Sequence, residues 1–410
     1  MSVSIAPQQD ESWKQDPWLG VNPFDPAFKD DPYPFLKRLR DYDPVNETPI
    51  GVYRLTRYDD VIRMLKEVPS GVRMADGSVF GGLDLGSGPS QFILRQDPPD
   101  HTRLRKLMNQ AFTPRAVARM RAHVEEIVDR QLDRVADAGE MDVIADLALP
   151  VPSTVICEMM GVPLGDRDKF TDWTSATTHL LAAALAPPEL VERGIIAVQA
   201  LGAYFTDLIE DRRKHLGEDI LSGLIRAEEE GDRLSPSELI AQSIGLLIAG
   251  FETTIGLIGN GVRALIGNPD QLALLQREPG LVGSAVEECL RYDGPILLTI
   301  RVTRGDTAFG DRTIPADRPV MCMLSGANRD PEHFPDPDRF DITRADNDHL
   351  AFGGGVHFCL GAHLARMETQ AAIGGLVRRF QDLELTSGEL VWGPSLFRVL
   401  GKLPVRFSPR

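Results

Sequence analysis

The sequence predicts a mainly α protein with small β-sheets, an α+β class in which helices dominate. Two observations carry this. Apolar residues recur at helical spacing from about residue 100 to residue 276, while alternating, strand-like stretches are confined to a segment near residue 50 and to residues beyond 296. With 410 residues, 42% hydrophobic and 25% charged, the composition is that of a globular protein with a large core. No repeat, heptad or low-complexity linker divides the chain, so a single domain over 1–410 is expected.

The opening stretch "MSVSIAPQQDESWKQDPW" has neither the basic start nor the apolar run of a secretory signal. Apolar runs such as 244–251 fall short of the ~18 residues a membrane span needs. A cytoplasmic protein without a membrane partner is therefore expected. "GVYRLT" at 51–56 alternates like a strand, and "RYDDVIRMLKEV" after it has helical spacing. Residues 71–88 carry six glycines and read as a loop. Helical patterns begin at "DPPDHTRLRKLMNQAF" and culminate in one very long pattern over 235–276, opened by Ser235-Pro236 with Glu238 in the first turn. Strands return at "LLTIRVT" and "DRPVMCML", and the last thirty residues are again β-like.

The net charge of −16 argues against nucleic acid or an anionic membrane as partner. The four cysteines, Cys157, Cys289, Cys322 and Cys359, show no metal-finger spacing and no disulfide framework for a reducing compartment. Cys359 alone has an unusual setting. Gly353, Gly354 and Gly355 precede it and free the backbone for a tight turn. An apolar helical stripe (Leu360, Leu364, Met367, Ala371, Val377) follows it, so the helix start favours a thiolate. A metal-binding or catalytic thiolate and an inert core cysteine fit that setting about equally.

Further constellations bear on chemistry. Glu252 and Thr253 in "AGFETT" put an acid and an alcohol inside an apolar helix, where the hydroxyl can bond a carbonyl one turn back and open the helix locally. Taken alone, a solvated Glu and a packed Thr explain the pair as well. His101 and Arg105 lie one helical turn apart and can reach one anion; an ordinary solvated face is the alternative. Glu288 and Arg291 share a helix face at i,i+3.

These segments resemble the cytochrome P-450 family in its soluble bacterial form. "FGGGVHFCLG" meets each fixed position of the family's haem-binding loop: Phe352, Gly353, Gly355, His357, Cys359 and Gly361. "AGFETT", from Ala249, is similar to the family's oxygen-activating helix, "EECLR" to its Glu-x-x-Arg, and "PDRF" supplies Arg339 as the usual third partner. The resemblance implies the family fold, a long central helix over a haem held by a Cys loop. It implies haem b with Cys359 as axial thiolate to the iron, O2 as co-substrate, and His101, Arg105, Arg301 and His357 on the haem propionates. Thr253 then assists oxygen activation and Glu252 helps relay protons. The implied activity is a haem-thiolate monooxygenase hydroxylating or epoxidising a hydrophobic small molecule (terpenoid, steroid, polyketide or fatty acid), with electrons from a separate ferredoxin and ferredoxin reductase.

Residues 95–121 hold seven cations (Arg95, Arg103, Arg105, Lys106, Arg115, Arg119, Arg121) against Asp97 and Asp100. They are read as a docking patch for an acidic ferredoxin. By similarity the pocket is lined by Val79, Phe80, Leu83, Leu85, Leu246, Ala249, residues 296–299, Leu396 and Phe397, with 179–190 as lid. Arg73 or Arg398 is the candidate anchor for a substrate carboxylate. A peroxide-driven peroxygenase would not need the Glu252–Thr253 pair, and a non-catalytic haem-thiolate binding protein would be expected to lack it. A cysteine-dependent hydrolase would need a base beside Cys359 and no haem.

Overall fold

The architecture is organised by one helix, Pro236–Gly267, and the sequence around its start explains why it forms there. In this computed structural model, which describes residues 12–80, 91–109, 111–183, 186–229, 234–386, 390–393 and 395–410, Ser235 caps that helix. The Ser235 hydroxyl accepts from the Glu238 N–H, and the Glu238 carboxylate accepts from the Ser235 N–H. This reciprocal cap satisfies two of the orphan donors. Of the described helices it alone is long and apolar enough to cross a membrane, and most of it is buried inside the protein.

The single long helix expected over 235–276 is two helices. Asn268 leaves helical geometry at φ −128° and ψ 75°, and a second helix, Pro269–Arg277, starts from it. Proline clashes with helical backbone before it, so the chain must turn there. Around the central helix pack Pro150–Met160, Val282–Asp293 and Ala362–Arg379, and Pro114–Val135 lies along the last of these.

The strands near residue 50 and beyond 296 join in a five-stranded sheet. Its order is Val45–Glu47, Tyr53–Leu55, Pro319–Cys322, Thr299–Thr303, Ser70–Gly71. Tyr53–Leu55 and Pro319–Cys322 run parallel, and the other neighbours are antiparallel. The C-terminal β-like region forms a three-stranded sheet with Glu140–Asp142 and a two-stranded one, Val391–Trp392 with Leu400–Lys402.

Glu288 and Arg291 form a fully buried bidentate pair, with both contacts at 2.8 Å. The third partner differs from expectation. Arg339 contributes only its backbone carbonyl to Arg291, and its own side chain stands in solvent near Asp341. Arg344 takes the place instead, with Nε 3.4 Å from Glu288 Oε2, and the Asp341 N–H and Asn347 amide also donate to that carboxylate. Burying a charge demands that its remaining lone pairs be filled, which these donors do. The adjacent Glu287 serves a separate cluster: burial raises its carboxyl, but the hydrogen bonds from His349 and Arg366 and their charges outweigh it and pull it down to about 2.

Candidate active site

A cavity of about 530 Å³ separates the central helix from the loop around Cys359. The loop reaches it by way of two left-handed glycines, Gly353 and Gly355, each at φ 68°. Gly355 also lies flat against residue 65, where a Cβ would collide with the Leu65 carbonyl oxygen. A short 3-10 turn, Gly355–His357, follows, and the Cys359 N–H closes the loop onto the Phe352 carbonyl at 3.0 Å. Phe352, Gly353, His357, Phe358, Cys359 and Gly361 all line the cavity, while Val356 is exposed and does not border it.

The helix after the loop begins at Ala362 with Gly361 as its cap, so Cys359 precedes it rather than opening it. Burial pushes the Cys359 thiol up, opposed by the Gly361 N–H and by the Arg105 and Arg366 charges. Desolvation therefore outweighs the pull of the loop and helix start on the thiol taken by itself. A bound metal ion is what deprotonates a thiol in such surroundings.

On the opposite wall the central helix opens a narrow window. Nearly all its side chains from Leu239 to Leu265 are buried, but Ala249 is exposed and Ile248, Gly250 and Thr253 are partly so, and all four border the cavity. The Thr253 hydroxyl donates to the Ala249 carbonyl at 3.1 Å, the expected back-bond. The helix nevertheless continues unbroken through this turn, so the expected local opening is absent. Glu252 does not line the cavity. It is buried behind the wall near Ser175, Ser395 and Lys29, and burial lifts its carboxyl to about 7.

Between the two walls, four cation-capable side chains converge. His101 and His357 stand with ring centroids 4.3 Å apart, and Arg105 and Arg301 line the same end. Burial first, then Arg301, His101 and Arg105, drives His357 down to about 3, and its buried Nε2 has no hydrogen-bond partner among the described residues. The nearby Asp97 is already engaged by Arg304 at 2.7 Å and by the Val72 and Arg73 N–H groups. A buried cationic cluster without a carboxylate of its own complements an anionic ligand. A flat group bearing two carboxylates, with a metal facing the Cys359 sulfur, fits this arrangement, and haem is such a group.

Of the pocket residues named above, Val79, Phe80, Leu246, Ala249, Ile296 to Thr299, Leu396 and Phe397 line the cavity, as do Leu180 and Leu181 of the lid. Leu83 and Leu85 lie outside the described residues, as do positions 184 and 185 of the lid. Neither proposed carboxylate anchor serves. Arg398 is buried and consumed by Asp293 at 2.6 Å and by the Lys29 and Asp30 carbonyls. Arg73 donates to the Gly77 carbonyl and does not border the cavity.

The docking patch is also smaller than expected. Arg95 and Arg105 point into the cavity, and Arg103 is paired with Asp100 and Glu238. Two cavity residues escaped sequence reasoning. Arg95, one of the seven cations read as a docking patch, lines the cavity instead. Glu368 is fully buried beside Thr254, with neither carboxyl oxygen in hydrogen-bond geometry with a partner among the described residues, and burial, opposed only by Thr254, raises it well above the carboxylate range. An acid on the buried side of the helix Ala362–Arg379 was the signal for the second; for the first there was none.

Comparison with known proteins bears on this geometry. The family model for cytochrome P450 matches residues 72–391. Cytochrome P450 107B1 of Saccharopolyspora erythraea is 44% identical over 402 residues, covering 93% of this chain and 96% of that protein. The crystal structure of P450BioI, in complex with hexadec-9Z-enoic acid ligated acyl carrier protein, matches with a TM-score of 0.85 at 38% identity, covering 93% of this chain and 100% of that one. The myxobacterial cytochrome P450 CYP267B1, in complex with myristic acid, matches with a TM-score of 0.83 at 39% identity, covering 94% and 98%.

Proposed function

The chain belongs to the cytochrome P450 family, an enzyme with thiolate-ligated haem b that uses O2, and on that footing we propose that it hydroxylates or epoxidises a hydrophobic small molecule with electrons from a separate ferredoxin. The observation that carries this reading is the convergence on one cavity of Cys359, the cluster of His101, Arg105, Arg301 and His357, and the Thr253 window. When bound, the haem supplies the activation of O2; the chain supplies position, charge and protons. His101, Arg105, Arg301 and His357 would hold the propionates, which would give His357 Nε2 the hydrogen-bond partner it lacks among the described residues. Cys359 would ligate the iron, and Phe352, Gly353 and Gly361 would shape the loop against the ring.

Thr253, tethered to the Ala249 carbonyl, holds a hydroxyl at the cavity wall. Glu252, at about 7, is both acid and base near neutral pH and can pass a proton to that wall. The apolar lining excludes water and selects an apolar substrate. The ligands of the relatives above, a hexadecenoyl chain and myristic acid, favour an acyl chain within the range of terpenoid, steroid, polyketide and fatty acid. The whole chain, 1–410, acts as one domain in the cytoplasm.

The absorption spectrum of the reduced protein with carbon monoxide tests the reading. The wild type is expected to show the red-shifted band of thiolate-ligated haem, and Cys359→His to lose that band while retaining haem. A wild type without the band sinks it.

A further inference from the structure

Arg95 is 8% exposed and borders the cavity, yet among the described residues no carboxylate pairs with it. Among the described residues its guanidinium makes a single long hydrogen bond, Nη2 to the Leu180 carbonyl of the lid at 3.4 Å. Burial lowers its pKa, and the neighbouring Arg73 lowers it further. In the propionate cluster Arg105 and Arg301 act on His101 and His357, whereas the charge acting on Arg95 is Arg73. A guanidinium taken out of water without a counter-charge is costly unless a ligand supplies one.

The backbone around Arg95 is held rigidly. It closes a 3-10 turn, Ile93–Arg95, and Gln242 on the central helix clamps that turn from both sides. The Gln242 amide donates to the Gln91 carbonyl at 2.8 Å, and its carbonyl accepts from the Ile93 N–H at 3.0 Å. The Phe92 ring lies so close to Gly245 that a Cβ there would enter it. The guanidinium is therefore presented from a fixed turn, between lid and central helix. The same cavity is walled by the apolar Val79, Phe80, Phe92, Leu180 and Leu181.

We propose that Arg95 is the anchor for a substrate carboxylate, so that the natural substrate is an apolar chain ending in a free acid. The planar fork of a guanidinium matches a carboxylate two bonds at a time, and the apolar remainder of the cavity holds the chain. This rests on the monooxygenase reading for the reaction but on Arg95 alone for the recognition.

Calorimetric titration of the haem-loaded protein at pH 8 with dodecanoate and with 1-dodecanol separates the two. The wild type should bind the acid at least about tenfold more tightly than the alcohol. Arg95→Gln should weaken the acid by roughly tenfold to a hundredfold and leave the alcohol within about twofold, the range of a charge-assisted hydrogen bond. Arg95→Lys, which keeps charge and bulk but not the fork, should fall between. Equal binding of acid and alcohol by the wild type overturns the proposal, as does equal loss of both ligands in both variants. The carbon monoxide spectrum of the same samples reads the reaction class independently. A normal spectrum with no acid preference removes only the anchor, and an acid preference without the thiolate band removes only the monooxygenase.

Discussion

Glu252 is 5% exposed, and burial, outweighing the pull of Ser395, Ser175 and Lys29, lifts its carboxyl from an ordinary 4.5 to about 7. The unfolded chain gives up that proton near pH 4.5 and the folded chain keeps it to about 7. Its contribution to stability is thus fully present below pH 4.5 and is lost as pH rises through 7. Glutamine has the shape of the protonated acid and no charge to bury. Glu252→Gln should therefore match the wild type in urea denaturation at pH 4.5 and exceed it by roughly 3 kcal/mol at pH 8, while losing turnover. A stability gap that does not change with pH would mean the carboxylate is not desolvated. At this scale the sequence was legible where residues stand at fixed local spacing, as Cys359, Thr253, His101 and Arg105 do. Arg95 was not, because its inward direction is set by Gln242, which bonds Ile93 from 149 positions away.

Among the elements, the loop before Cys359 depends most on a single backbone contact. Gly355 has φ 68°, and a Cβ on it would run into the Leu65 carbonyl at the end of the helix Tyr58–Lys66. The backbone conformation alone costs a side chain roughly 1–3 kcal/mol, and the collision must also move the loop that holds Cys359. Gly355→Ala should lower the melting temperature by several degrees and leave most of the purified protein without haem, read as haem per chain from absorbance. Full haem content at an unchanged melting temperature would contradict the contact. Local chemistry made elements such as the capped start at Ser235 readable, and the Asn268-Pro269 step carried the break that periodicity alone had hidden. The five-stranded sheet was beyond local reading, since Tyr53–Leu55 pairs in parallel with Pro319–Cys322 across most of the chain.

For the whole molecule, the distribution of charge bears on where an electron donor would dock. The chain carries −16 overall, yet Lys106, Arg115 and Arg119 stand exposed on the helices Asp100–Asn109 and Pro114–Val135. The second of these packs along Ala362–Arg379, where Arg121 reaches Gln370, and the Cys loop leading into that helix exposes Val356 and Phe358. An apolar centre with cations beside it suits a small acidic partner, and a local positive field on a negative protein steers such a partner to one face. Arg103 is not a fair probe, because Asp100 and Glu238 already neutralise it. Reversing Arg115 and Arg119 together to Glu should slow reduction by an acidic ferredoxin about tenfold at low salt, with the difference fading as added salt shortens the screening length from ~30 Å to ~3 Å. Reduction by dithionite, which needs no docking face, should be unchanged. Stopped-flow rates that show no dependence on salt, or that are equal for the wild type and the double reversal, would place the electron-donor site elsewhere on the surface.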